Sequence, residues 1–453
     1  MKSHSKKKPF VSIIILNYNG QRVLSATLDS VLVSSYPHNS FEIIVVDNKS
    51  TDKSKSVLKK YAKNPQIKLI FSQKNGGFTG GNNLGFEEAR GEYIILLNND
   101  CIVEKTWIHD LVERAESDPN IFAVNSKILL YPRFFPLTIQ TDLGYMDMEV
   151  LLQTSALSTF KNSKKLISAH HSFDDNQLFT IHIPTHPTAE DQYIKIEAHV
   201  YTPQRSKPQE HFFVTPQPWI SSITFETNHD SVIISITVDV KKIPQNIYFD
   251  KVQNAGIVMF DNGSGRDIGA VVRYYTQDYE RDLGQYNEPR EVYAACGAAV
   301  LYRKSILDQI GLFSEDFFMY YEDVDVAERA RLKGYSIWYE PQAIVRHMHA
   351  LSSEEWSPFF IYHAEKGRLV HIFHHFPLWV CVQEYFFFSL AACIRIIVNI
   401  GKSSYVKDIQ YIRVVASIFL NIPKYLAYRT KWTPTEKSQQ LYNDLRSGKW
   451  ILP

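Results

Sequence analysis

The stretch Val11-Ser-Ile-Ile-Ile-Leu-Asn-Tyr-Asn-Gly20 decides the fold class. It begins as an almost unbroken apolar run, the pattern of a strand covered on both faces, and ends in a polar turn closed by Gly20. Val23, Leu24, Leu28, Val31 and Leu32 then follow helical spacing. Phe41-Glu-Ile-Ile-Val-Val46 repeats the buried-strand pattern and runs into Asp47-Asn48. A helix is expected over Lys53–Ala62 and a third strand over Ile67–Phe71. Strand, helix and strand at this spacing predict a parallel sheet. Ligands of such sheets gather beyond the carboxyl ends of the strands, which puts Asn17, Asp47 and Asn48 on one rim.

Further along, Asn75-Gly-Gly-Phe-Thr-Gly-Gly-Asn-Asn-Leu-Gly85 carries five glycines in eleven residues. The pattern predicts a loop open to close ligand approach, with a helix from Leu84 whose N-terminus would attract an anion. It lacks the Gly-Lys-Ser/Thr ending of a P-loop. Gly91–Leu97 is a further expected strand, ending in Asn98-Asn99-Asp100. An acid at such a strand tip is placed to hold a divalent cation, or to cap the helix expected over Trp107–Ala115. Val124–Tyr131 has the pattern of one more strand.

From about residue 134 to 250 glycines nearly vanish and alternating runs appear, such as Ile194, Ile196, Ala198, Val200 and Val232, Ile234, Ile236, Val238. Prolines separate them, which predicts an antiparallel, sandwich-like module. His170-His171 and Asp174-Asp175 inside it read as surface residues. The α/β pattern then resumes. Ala295–Tyr302 is expected as a strand, with small residues inviting close packing on Gly297. Tyr321-Glu-Asp-Val-Asp-Val-Ala-Glu-Arg-Ala-Arg331 opens a helix that ends at Gly334. It reads as amphipathic, with Glu328, Arg329, Arg331 and Lys333 on its polar side, and Asp325 and Arg329 spaced to pair. Ser336–Tyr339 is the last expected strand, followed by His347 and His349.

The tail differs again. Phe376–Ile400 is strongly apolar but is interrupted by Gln383, Glu384 and Arg395, so no clean run is expected to reach bilayer-spanning length. After Gly401 there are nine Lys/Arg and three Asp/Glu, interleaved with aromatics. Such helices suit the surface of an anionic membrane, or pack on the α/β core or a second subunit.

Composition bounds the rest. The chain has 453 residues, 45% of them hydrophobic, enough for two or three domains and against global disorder. A formal net charge of +1 offers no argument for nucleic acid. The four cysteines are far apart with no CxxC spacing, as expected of reduced thiols in a cytosolic compartment without structural zinc. The basic start, Lys2 to Lys8, precedes an apolar run too short for a signal peptide.

Taken in order, Ser12–Gly20, Val45–Asp52, Asn75–Gly85, Leu96–Asp100, Gly297–Arg303, Phe318–Asp325 and His347 resemble the family 2 glycosyltransferases of the GT-A fold, especially their bacterial rhamnosyltransferase-like branch. The resemblance covers roughly residues 10–132 and 251–365. It implies a GT-A fold, a mostly parallel sheet flanked by helices, here carrying the inserted β module and a C-terminal helical segment. The implied domains are 1–133 for the nucleotide sugar, 134–250 for the insertion, 251–365 for acceptor and catalysis, and a basic helical segment over 366–453. Asp47 would read the base, with Asn17, Asn19 and Asn48 beside it. Asn75, Gly76, Gly77, Gly81, Asn82, Asn99 and Gly297 would line the donor. Asp100 would hold Mg or Mn on the diphosphate, with His347 or its rival His349. Asp323 would be the general base, with Glu322 next to it.

The first acid of the family's metal motif is an amide here, Asn98, which lowers the expected metal affinity. The expected activity is inverting transfer from a nucleotide-diphosphate sugar, dTDP- or UDP-linked first, to a glycan or lipid-linked glycan. The expected place is the inner face of the cell membrane, held peripherally through residues 376–453, with self-association left open and no nucleic acid. The competing classes are a nucleotidyltransferase, which would carry a Gly- and Lys/Arg-rich signature near its first strand, and a non-catalytic carbohydrate-binding or scaffold protein.

Overall fold

The computed structural model describes residues 8–131, 133–141, 145–153, 167–172, 178–185, 193–201, 212–214, 216–228, 231–273, 276–348, 356–400 and 405–450. His349 and the Asp174-Asp175 pair lie outside the described residues. The chain forms two compact units, one of Met1–Leu129, Gln253–Ile268 and Gly284–Pro453, the other of Leu130–Val252 and Gly269–Leu283.

In chain order the elements begin with β1 (Val11–Asn17), α1 (Leu24–Leu32), β2 (Phe41–Asp47), α2 (Ser54–Tyr61), β3 (Ile67–Phe71), α3 (Gly77–Glu88), β4 (Tyr93–Asn98), β5 (Cys101–Val103), α4 (Trp107–Glu116) and β6 (Ile121–Leu130). β1 lies parallel between β2 and β4, and β3 continues beyond β2. The register places Asn17 opposite Asp47, and Leu16 opposite Asn98, so the polar strand ends share one edge. Ile13, Ile15, Ile43, Val45, Ile95 and Leu97 are fully or almost fully buried, and so are Ile14, Ile44 and Leu96 on the other face. Burial on both faces is why these strands are continuous apolar runs and do not alternate.

The second unit holds β7 (Arg133–Thr141), β8 (Tyr145–Gln153), β9 (Ile167–Ser172), β10 (Leu178–Thr185), β11 (Tyr193–Tyr201), β12 (Phe212–Val214), β13 (Ile220–Asn228) and β14 (Ser231–Asp239). They form two antiparallel sheets, β13-β14-β11-β8-β9 and β10-β7-β12. The alternation has its expected consequence: Ile194 and Ile196 of β11 and Ile234, Ile236 and Val238 of β14 are buried. His170 and His171 fall in β9.

After β15 (Lys251–Asn254) come β16 (Ile257–Met259), β17 (Gly265–Asp267), β18 (Ala270–Arg273), β19 (Thr276–Arg281), β20 (Arg290–Glu291), β21 (Ala299–Arg303), α5 (Lys304–Ile310), α6 (Glu322–Leu332), β22 (Ser336–His347), α7 (Pro358–His375), α8 (Leu378–Asn399), α9 (Tyr405–Trp432) and α10 (Thr435–Arg446). β21 runs antiparallel to both β4 and β6. β22 pairs with β5, which sets His347 opposite Cys101.

Four expectations are corrected. The last strand is twelve residues long and absorbs the segment through His347. α6 is not amphipathic: Glu328 and Arg329 are buried, and of its polar side only Lys333, just past the helix, is exposed. α8 is, by length and composition, apolar enough to cross a membrane, because its polar residues are too few to offset 22 residues of otherwise apolar sequence.

The glycine-rich stretch is helix from Gly77 onward, not loop. Its glycines serve packing. A Cβ at Gly81 would lie 2.3 Å from Leu16 Cδ1 and one at Gly85 2.5 Å from Ile14 Cγ2, both on β1. Spaced i,i+4 on one face, they let the helix axis approach the sheet. Gly80, off that face, has open space around it. Gly85→Ala is therefore expected to destabilise the fold by about 1–3 kcal/mol through overpacking. Gly80→Ala should stabilise by up to about 1 kcal/mol through helix propensity. Urea unfolding of the two variants side by side checks the contrast.

Candidate functional site

The strand ends form a closed amide–carboxylate network. Asn17 Nδ2 donates to Asp47 Oδ1 at 3.0 Å and to Ser50 Oγ at 3.1 Å, while its Oδ1 accepts from Asn99 Nδ2 at 2.9 Å. Asp47 Oδ2 accepts from the Ser50 N–H at 3.2 Å. Asn17 and Asp47 have no exposed surface. They brace the rim from beneath, and the Asn99 side chain stands over them. Asn19, at φ +54°, accepts from the Thr51 and Asp52 backbone N–H groups and clasps the β2–α2 turn.

Asn48 holds the entry to α3. Its Nδ2 donates to Asn75 Oδ1 and to the Gly77 carbonyl, each at 2.9 Å, and its Oδ1 accepts from the Gly76 N–H at 2.9 Å. The expected anion site at this helix N-terminus is not there. The Gly77 N–H is taken by Asn75 Oδ1, those of Phe78 and Thr79 by the Phe318 carbonyl, and that of Gly80 by the Gly76 carbonyl. With all four donors of the first turn engaged, nothing is left to point at a phosphate. Asn82 is buried and donates back to the Phe78 carbonyl at 3.0 Å.

Asp100 and His347 meet at the other side of the rim. His347 Nε2 lies 3.0 Å from Asp100 Oδ1, and its Nδ1 is 2.9 Å from Gln253 Oε1. With the Nδ1 proton donated to Gln253, Nε2 presents a lone pair beside the Asp100 carboxylate, and the two donor atoms could serve one cation. The ligating atoms of Asp100, Cys101 and His347 lie within 4.8 Å of one another. An oxygen and an imidazole nitrogen suit Mg or Mn; burial pushes the Cys101 thiol well up, so it stays protonated and is the poorer ligand. The donor set fits a divalent cation through Asp100 and His347. Gln253, which orients the histidine, has no signal in the sequence beyond lying in a turn-rich stretch.

The base candidate sits where the backbone is strained. Tyr320 and Tyr321 both adopt φ +71°, a conformation costly for bulky residues. Gly367 of α7 makes room for it: a Cβ there would lie 2.9 Å from the Tyr320 carbonyl. The turn delivers Glu322 and Asp323 to the start of α6. Asp323 Oδ2 accepts from the Gly297 N–H at 3.1 Å and its Oδ1 from the Val324 N–H at 2.8 Å. Burial raises the Asp323 carboxyl above its ordinary value, with those two N–H groups opposing. Burial and the neighbouring Asp323 charge push Glu322 well up, and its Oε2 has no hydrogen-bond partner among the described residues. Close packing on Gly297 is observed: a Cβ would meet Phe78 at 3.0 Å. One residue on, the Ala298 carbonyl accepts from the Asn98 N–H at 2.9 Å. The two-residue segment Gly297-Ala298 thus touches Asp323 at one end and the end of β4, two residues before Asp100, at the other.

Asp325, two residues past the base, anchors a cluster that the sequence only half reveals. The expected pair forms, Arg329 Nε donating to Asp325 Oδ2 at 3.0 Å. His374 Nδ1 and His375 Nε2 also reach Oδ1, at 3.0 and 2.8 Å, and the Tyr428 hydroxyl donates at 2.9 Å to Oδ2. Burial alone would raise this carboxyl; Arg329 and the two histidines outweigh it and hold it well below the usual range. The three metal-competent groups Asp325, His374 and His375 are close together, but Arg329 already neutralises the carboxylate. Residues 49 to 103 positions downstream carry no mark in the sequence of where they dock.

Comparison with known proteins finds similarity in the first part of the chain. Residues 12–149 match the family model described as Glycosyl transferase family 2. A putative teichuronic acid biosynthesis glycosyltransferase, TuaG, of Bacillus subtilis is 34% identical over 108 residues, 24% of this chain and 40% of that protein. A cholesterol galactosyltransferase of Borreliella burgdorferi is 36% identical over 121 residues, 27% of this chain and 33% of that protein. The matches thus span less than half the length of these relatives. Among solved structures, GalNAc-T7 with UDP, GalNAc and Mn2+ superimposes with a TM-score of 0.48 at 13% identity, covering 92% of this chain and 58% of that one. Residues 12–149 are thus similar to the family 2 glycosyl transferases.

Two predictions follow from the buried charges around α6. Asp325→Asn leaves Arg329 unpaired and should cost about 3–5 kcal/mol; Tyr428→Phe removes one hydrogen bond to a charged group and should cost about 1.5–3 kcal/mol. Chemical denaturation of both variants measures the difference. Glu328 is fully buried, and burial raises its carboxyl from 4.5 to about 8, with Arg331 opposing. A raised acid favours folding below its unfolded value and loses that contribution as pH climbs toward 8. Glu328→Gln, permanently neutral, should therefore gain on the native protein across this window by up to about 1.4 kcal/mol per pH unit. Thermal melts at several pH values read it out.

Proposed function

We propose that the protein is an inverting glycosyltransferase that moves a sugar from a nucleoside-diphosphate donor to a hydroxyl of a glycan or lipid-linked glycan in cell-surface polysaccharide synthesis. The observation that carries the reading is the Gly297-Ala298 segment, which sets Asp323 and the Asp100 strand tip on either side of one backbone turn. Asp323 is partly buried, orients its Oδ2 through one N–H, and has a raised carboxyl, properties suited to taking a proton from an attacking hydroxyl. The pyrophosphate-type leaving group needs charge neutralisation and no general acid. A Mg or Mn ion held by Asp100 and His347 would supply it. Single displacement with one base inverts the anomeric centre. Asn99 and Asn75, both accessible at the rim, are placed to contact the donor, over a floor made by Asn17, Asp47 and Asn48. The resemblance to the rhamnosyltransferase-like branch puts dTDP- and UDP-sugars first among donors, and the sugar itself is a matter for assay.

Purified protein assayed against UDP-, dTDP- and GDP-sugars, with Mg or Mn and with EDTA, tests the reading. Metal-dependent release of nucleoside diphosphate from one donor is the expected result. Donor binding with no transfer to any acceptor offered would favour a binding or scaffold protein. Asp323→Asn should lower kcat by roughly 10²–10⁴ with donor affinity unchanged. The native acid limb should lie above the ordinary aspartate value of 3.8, because the base works ionised and its carboxyl is raised. Retained transfer by Asp323→Asn would remove the base assignment.

A further inference from the structure

Most of the exposed large apolar side chains among the described residues belong to α8 and α9. On α8, Leu378, Val382, Phe386, Leu390, Ile394 and Val398 are all exposed, between 48% and 69%. With Trp379 and Ile397, which are 50% and 69% exposed, the positions three or four apart (Trp379, Val382, Phe386, Leu390, Ile394 and Ile397) form one stripe about 27 Å long, flanked by Leu378 and Val398. Phe419 and Leu420 on α9 are 65% and 75% exposed. The opposite side of α8 is tied down: Val380, Cys381 and Ala392 are buried, the Tyr385 hydroxyl donates to the Val415 carbonyl at 3.1 Å, and Glu384 pairs with Arg368 of α7 at 3.1 Å. The stripe is therefore a fixed outward face of a folded hairpin. A monomer in water rarely leaves such a face open.

Charge says what covers it. Residues 378–432 carry seven Lys/Arg and two Asp/Glu. Arg395, Lys407 and Arg413 are exposed, and among the described residues none has a carboxylate partner. Arg395 and Arg413 lie over the rings of Tyr411 and Tyr362, at 4.6 and 4.9 Å, with their apolar stems along the hairpin. A second copy of the same face would bring like charges together, whereas an anionic surface satisfies them. Full spanning is disfavoured, because α8 carries Arg395 and its partner α9 carries Lys407, Asp408, Arg413 and Lys424, each costing about 2.5–3.5 kcal/mol at a bilayer centre.

We propose that the α8–α9 hairpin seats the protein on one leaflet of an anionic lipid bilayer, with the Trp379–Ile397 stripe buried among the acyl chains and Arg395, Lys407 and Arg413 among the headgroups. This goes beyond the transfer reading and does not depend on it. It would hold the protein peripherally, so that a lipid-linked acceptor and the rim are brought to one surface.

Flotation of the full-length chain with vesicles tests it. Binding is expected to phosphatidylcholine vesicles containing phosphatidylglycerol, weakened roughly tenfold or more in phosphatidylcholine alone or at high salt. Phe386→Asp with Leu390→Asp should abolish flotation while far-UV circular dichroism stays unchanged, since both side chains face outward. Lys407→Glu with Arg413→Glu should remove the preference for the anionic vesicles, and tests the charge argument if the first variant misfolds. Absence of flotation with either vesicle, or stripe variants that float like the native chain, would overturn the proposal. So would sedimentation showing a dimer that the stripe variants split and that binds no vesicle. Resistance of the bound native protein to extraction by alkaline carbonate would replace peripheral seating with a spanning helix.

Discussion

A single buried carboxylate holds the catalytic candidate in place. Asp325 has no exposed surface, and an unpaired ion there would cost several kcal/mol. It is tolerated because four side chains from three helices close on it: Arg329 from α6 itself, His374 and His375 from the end of α7, and Tyr428 from α9. Arg329 is in turn held by backbone carbonyls, at 2.8 Å from Gly311 and 2.9 Å from Leu312. His374 also reaches Asp316 at 3.3 Å, and Lys424 closes on the same carboxylate. Since every charged member has a partner of opposite sign, the cluster is rigid, and any movement of α6 breaks several charge-assisted bonds at once.

That rigidity is what lets the backbone carry strain just upstream. Two successive tyrosines at φ +71° would relax if α6 were free to shift. The Asp325 cluster fixes the far side of the turn, the Phe318 carbonyl is pinned by the first N–H groups of α3, and Gly367 leaves the space. The outcome is that Glu322 and Asp323 emerge at a set place, one turn before the anchor. Glu322 and Asp323 are adjacent and both desolvated, so both carboxyls are raised, and the Asp323 charge raises Glu322 further. A pair of acids in that condition is poised to exchange a proton with a hydroxyl, whereas solvated acids at a helix start would stay ionised.

Much of this frame was legible. The doubly buried strands, their helices and the polar rim follow from apolar periodicity, because burial on both faces is recorded in every residue of a strand such as Ile13–Ile15. The alternating strands of the second unit follow for the same reason with the opposite pattern. The glycine stretch misled because glycine signals freedom in a loop and close approach in a helix equally well, and only the contacts with Leu16 and Ile14 separate the two. α6 misled because charged residues usually mean solvent; here Glu328 is buried against Tyr293, and Arg329 against the Gly311–Leu312 turn and Trp432 of α9. The left-handed tyrosines, Gln253 behind His347, and His374, His375 and Tyr428 behind Asp325 are products of tertiary packing, which leaves no local periodicity to read.

The same packing gives the C-terminal helices a role that composition alone does not suggest. α9 contributes Tyr428 to the anchor and, four residues earlier, Lys424 to Asp316, while its other side carries Phe419 and Leu420 into the open. A helix that is at once a wall of the catalytic candidate's anchor and part of the exposed apolar hairpin links seating to chemistry by rigid contact. Such a link needs no moving part: whatever orients the hairpin orients α6, and with it Asp323. Removing α9 would strip Asp325 of Tyr428 and expose the histidines, so the C-terminal helices are part of the unit that holds α6 and not an appendage to it.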